Sequence, residues 1–111
     1  MDRIIFRKYH LSYDAIGLND KYTSNDARIE ILKVLKKMGV TSVQSPCNST
    51  IIFDYKDSSF DFDTFEMKLD GKFFYSICLV AENKDKKPFH KLKNSTNISD
   101  FDIQKDWKSI E

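Results

Sequence analysis

Two helical stripes, each closed by a glycine and each set between strand-like runs, leave this chain few ways to fold. Ile31, Val34, Leu35 and Met38 recur at i, i+3, i+4 and i+7, the spacing of one buried helix face. Thr23 or Ser24 can cap that helix, Asp26 suits its positive end, and Gly39 supplies a left-handed stop. Phe62, Phe65 and Leu69 mark a second buried stripe, with Ser58 or Ser59 as its cap and Gly71 as its end. Four other runs read as strands: 9–14, 40–44, 50–55 and 73–80. In the first, Tyr9, Leu11 and Tyr13 point one way, while His10, Ser12 and Asp14 point the other.

Ser45-Pro46-Cys47-Asn48 has turn chemistry, so residues 40–55 form a hairpin. The resulting order, βαββαβ within residues 1–82, predicts a ferredoxin-like α+β domain. Its four-stranded antiparallel sheet carries both helices on one face. Residues 83–111 form a charged C-terminal extension. Within it, Ser99 can cap a short helix whose Ile103, Trp107 and Ile110 share a face.

A chain of 111 residues that is 41% apolar and 14% aromatic can fill one core. Eighteen basic residues against seventeen acidic give a net charge of +1. That excludes a strong sequence-independent nucleic-acid binder, so a nucleic-acid role requires a local basic patch or a metal. Cys47 and Cys78 have no CxxC or CxxH neighbours, which argues against a thiolate zinc site and for free thiols in a reducing compartment. The start, Met1 to Lys8, is too polar for a signal peptide. No run approaches the ~18 apolar residues of a membrane span. A cytoplasmic protein without membrane contact is expected.

Asp14 is the first candidate for chemistry. Mg²⁺ takes hard oxygen ligands and needs only one or two carboxylates when substrate phosphate completes its shell. Asp14 at a strand tip therefore fits a metal ligand, and it equally fits an acid that opens a turn. His10 and Ser12 share its strand face and are candidates for proton transfer or phosphate binding. The same three residues also describe a polar, solvated sheet face. The acidic positions Asp54, Asp57, Asp61, Asp63, Glu66 and Asp70 lack calcium-loop spacing and read as the solvated side of the second helix.

In the extension, Lys84, Lys86, Lys87, Lys91 and Lys93 surround Phe89 and His90. Lysines for phosphate and an aromatic ring for a base make this a candidate nucleic-acid or partner surface, although a charged linker has the same composition. Trp107 either packs the extension onto the domain or anchors a partner.

Leu11-Ser12-Tyr13-Asp14, then Lys33 to Gly39 and Val43-Gln44-Ser45, resemble the Cas-two superfamily of small CRISPR-associated proteins and their toxin–antitoxin relatives. The Ser49-Thr50 pair before an apolar strand is similar to a related bacterial group, and GhoS-type antitoxin endoribonucleases share the plan. The resemblance spans residues 3–82. It implies a homodimeric, metal-dependent endonuclease acting on nucleic acid, RNA in particular, with Asp14 from two protomers holding Mg²⁺. The residues alone favour a different role, since no second catalytic side chain stands out. That role is a non-catalytic antitoxin or inhibitor in a toxin–antitoxin or phage-defence setting, binding a protein or nucleic acid through Lys84–Lys93 and Trp107. The resemblance places the nuclease first.

Overall fold

The computed structural model describes residues 6–46, 49–56, 58–69, 71–80, 82, 85 and 98–110. The order of elements is β1 (Phe6–Ala15), α1 (Ser24–Lys37), β2 (Ser42–Gln44), β3 (Thr50–Lys56), α2 (Phe62–Leu69), β4 (Phe73–Leu79) and α3 (Ile98–Ser109). The strands form one sheet in the order β2-β3-β1-β4, every neighbouring pair antiparallel. This is the predicted ferredoxin-like plan. Among the described residues no helix is long and apolar enough to cross a membrane.

Period-two alternation divides the sheet. Tyr9 and Leu11 of β1, Val43 of β2, Ile51 and Phe53 of β3, and Phe73 of β4 face the helices and are buried with Ile31, Leu32 and Leu35 of α1 and Phe65 and Leu69 of α2. The centre of this core is aromatic. Tyr9 stacks on Phe53 with centroids 5.2 Å apart, and Phe60 lies 5.0 Å from Phe53 and 5.4 Å from Tyr9. Such pairs contribute about 0.5–1.5 kcal/mol each beyond their buried area. Lys8, His10, Ser12 and Asp14 point to the other face, where Ile52 is nonetheless buried. There Asp54, which belongs to β3 rather than to the second helix, is held by Lys8 Nζ at 3.0 Å and Ser42 Oγ at 2.7 Å.

The limits of α1 follow from its ends. Thr23 Oγ1 accepts from the Asp26 N–H at 3.2 Å while Asp26 Oδ2 accepts from the Thr23 N–H at 3.0 Å, a reciprocal capping box. Gly39, at φ +96°, turns the chain away, and a Cβ there would stand 3.6 Å from the Tyr55 ring. Val40 bonds back to the Leu35 carbonyl, so β2 is shorter than the expected 40–44.

The second helix departs from expectation at its start. Its cap is Asp61, not Ser58 or Ser59: Asp61 Oδ1 accepts from the Thr64 N–H at 3.0 Å and Oδ2 from the Thr64 hydroxyl at 2.8 Å. Phe60, just before the cap, packs on Phe65 at 5.8 Å and closes the entry as a hydrophobic staple. Phe62, expected on the buried face, is 40% exposed and lies at the margin of the core, with its ring 6.0 Å from Tyr9 and 5.9 Å from Phe60.

The described end of the extension, α3, is docked on the domain. α3 lies against α1 and β2, and its Ile103 is fully buried in the same core. Arg28 Nη2 of α1 bonds Asp106 Oδ2 at 2.9 Å, and Gln104 Nε2 donates to the Val43 carbonyl on the β2 edge. Lys36 Nζ donates to the Trp107 and Ile110 carbonyls at 2.7 and 2.6 Å, capping the end of α3.

Candidate functional site at the tip of the first strand

β1 ends between two hollows, and Asp14, exposed to solvent, borders both. The larger is a cleft of about 530 Å³. Tyr13 and Asp14 form one wall, and the first turns of α1 contribute Ser24, Asn25 and Arg28. Asp102 of α3 and Ser49 also line it. The smaller hollow, about 460 Å³, lies on the helix-free face and is edged by Ser12, Asp14, Phe74 and Ser76.

Local structure explains each position. Ser49 has a left-handed backbone at φ +62°, uncommon for a residue with a side chain, and its carbonyl accepts from the Tyr13 N–H at 3.0 Å. That bond brings the turn before β3 onto the strand tip. Tyr13 packs edge-on against Phe73 at 6.2 Å, and burial pushes its hydroxyl above the usual tyrosine value, with the Arg28 charge opposing that rise. Arg28 is held at one tip by two acceptors: its Nη2 donates to Asn25 Oδ1 at 2.6 Å and to Asp106 Oδ2 at 2.9 Å. Its Nε is buried without a hydrogen-bond partner among the described residues.

The strand does not bring its three predicted candidates to one point. At about 3.4 Å per residue, His10 stands roughly 14 Å from Asp14 along β1 and borders neither hollow. Ser12 shares only the smaller hollow with Asp14. His10, Ser12 and Asp14 therefore cannot act together on one reacting atom, and Asp14 is the candidate that lies at a cleft. Trp107 is half-buried against α1, with Lys36 Nζ 4.9 Å from its ring centre. Lys84, Lys86, Lys87, Phe89, His90, Lys91 and Lys93 lie outside the described residues, as does Cys47. Cys78, on β4, is a free and exposed thiol.

Asp102 and Arg28 are the site residues that the sequence reading missed. Nothing local marks Asp102, because its place in the cleft depends on α3 docking beside α1. Among the described residues no three His, Cys, Asp or Glu side chains gather into a metal cluster. Two aspartates and two serines do line one cleft, and oxygen donors of that kind suit Mg²⁺ rather than a thiophilic metal. Comparison with protein-family models, curated proteins and solved structures gives no match.

Proposed function

We propose that this protein is a metal-dependent endonuclease-like protein acting on nucleic acid, RNA in particular, at the cleft bordered by Asp14 and Asp102. The observation that carries the reading is that β1 and α3, distant in sequence, each contribute one acidic residue to the lining of the same cleft. Mg²⁺ held there with substrate phosphate would supply charge neutralisation at the scissile phosphodiester. Asp14 and Asp102 would be its protein ligands. The first turns of α1, whose free N–H groups carry partial positive charge, and the Arg28 guanidinium would orient the phosphate. Since Asp102 comes from the same chain, the second carboxylate need not come from another copy. The likeness of Leu11 to Asp14 to the Cas-two superfamily supports the same assignment of Asp14.

The test is cleavage of labelled single-stranded RNA and duplex DNA with Mg²⁺ or chelator, using wild type, Asp14→Ala and Asp102→Ala. Loss of a metal ligand should lower the rate about a hundredfold or more, several kcal/mol of transition-state stabilisation. Both variants should keep the wild-type circular dichroism. Activity that survives in Asp14→Ala, or an inert wild type that still retains RNA or a protein on a column, would replace this reading with the non-catalytic antitoxin or inhibitor.

A further inference from the structure

The two edges of the sheet are treated differently. β2 is three residues long, and the Gln104 side chain occupies its Val43 carbonyl. β4 at the other edge runs seven residues, Phe73-Phe74-Tyr75-Ser76-Ile77-Cys78-Leu79, without a charge, a proline or a glycine. Natural edges are blunted by such residues or by covering elements. Among the described residues none pairs with the outer side of β4.

The hydrogen bonds of β1 define which groups that edge offers. The Val80 N–H donates to the Lys8 carbonyl at 2.9 Å, and the Ile16 N–H to the Lys72 carbonyl at 2.9 Å. In an antiparallel ladder paired Lys8↔Val80 and Ile16↔Lys72, the even-numbered residues of β4 spend their backbone groups on β1. The odd-numbered residues Phe73, Tyr75, Ile77 and Leu79 point their N–H and C=O groups outward.

From this the geometry points to a homodimer formed by antiparallel pairing of β4 with β4 of a second copy, about a two-fold axis at Ser76. In that register Phe73 pairs with the partner's Leu79 and Tyr75 with the partner's Ile77. Each of these is a hydrogen-bonded pair, so every outward backbone group of both strands is satisfied. The side-chain pairs are self-complementary as well. Aromatic rings meet aliphatic chains on the helix face, and Phe74, 70% exposed in one copy, meets Cys78 on the other face. No like charges oppose one another, because β4 carries none. The second copy is favoured over a foreign strand because the sequence matches itself at every position of this register. The inference is independent of the nuclease reading, since Asp14 lies off the axis, on the neighbouring strand.

Ser76 provides the test. Its side chain is exposed, and at the axis it faces its own copy as a non-bonded pair with Cβ atoms about 4.5–5.5 Å apart. Sedimentation velocity on the full chain should show twice the 13.0 kDa mass at high concentration. Ser76→Lys and Ser76→Glu should each raise the dissociation constant about tenfold or more, by placing like charges together. An equimolar mixture of the two variants should recover the dimer. In wild type, amide exchange at Tyr75 and Ile77 should slow as concentration rises, which decides the matter if either variant misfolds. A monomeric wild type, a dimer indifferent to both charges, or a mixture that fails to reassociate would overturn the proposal.

Discussion

Lys36 Nζ donates to the Trp107 carbonyl at 2.7 Å and lies 4.9 Å from the centre of the same residue's ring. One cation thus closes the end of α3 and covers its tryptophan. Charge-assisted bonds of this kind contribute about 1.5–3 kcal/mol when buried, and less here because Lys36 is half-exposed. Lys36→Met, which keeps the aliphatic stem, should therefore lower unfolding stability by about 1–2 kcal/mol. It should also shift the emission of the single tryptophan to the red. Urea titration followed by fluorescence reads both effects.

Arg28 and Asp106 join α1 to α3 with side chains only 13% and 19% exposed. Removing one partner of such a pair leaves the other charge poorly solvated. Arg28→Ala and Asp106→Ala should each cost about 1–3 kcal/mol, discounted from the fully buried case for the residual solvent. The double variant should cost less than their sum. A double-mutant cycle by chemical denaturation measures that coupling.

The Tyr9 hydroxyl accepts a hydrogen bond from the Phe60 N–H at 3.3 Å inside the aromatic core. Tyr9→Phe preserves the stacking on Phe53 but leaves that N–H buried without this acceptor. The expected loss is about 1–2 kcal/mol, since an unsatisfied buried donor forfeits its hydration. The thermal midpoint should fall by several degrees, read by calorimetry.

Two helix caps set an acid dependence. The Thr23 N–H, and after it the Thr23 hydroxyl, hold the Asp26 carboxyl below its usual range. The Thr64 N–H and hydroxyl do the same for Asp61. Each folded pKa is lower than its unfolded value, so the unfolded chain takes up protons first as pH falls. The stability from both caps is complete above about pH 4 and is lost on acidification through the depressed folded values. Replacing both with Asn should flatten the decline in helical circular dichroism on acidification below about pH 4.

Most of the architecture was legible because it rests on local signals. Thr23, Asp26 and Gly39 bound α1 within a few residues, and the alternation of β1 assigned its two faces correctly. The second helix was harder. Ser58 and Ser59 compete with Asp61 as caps by residue type, and what decides is Phe60 packing on Phe65, a contact that a search for serines overlooks. The site was less legible still. Asp14 stood out at a strand tip, whereas Asp102 enters the cleft through α3, which docks by burying Ile103 and by the Arg28–Asp106 and Lys36–Ile110 bonds across more than 70 residues. Sequence proximity also misled: His10 and Ser12 share a face with Asp14, but a strand separates what a helix would gather.

The strand order has a consequence for how the molecule forms. β1 is hydrogen-bonded on both sides, by β3 on one edge and β4 on the other, so the earliest of the described strands is one of the two central ones. It has no local partner. Phe6 must wait for Lys56, and Ala15 for Phe73, before either ladder closes. Chain-closure entropy is therefore spent before most backbone bonds can repay it, which puts this domain among mixed topologies slower than helical bundles of its size. During synthesis the core-facing Tyr9, Leu11 and Tyr13 stay uncovered by strand partners until β3 and β4 have emerged. That interval is when this chain is most exposed to aggregation and has most need of a chaperone.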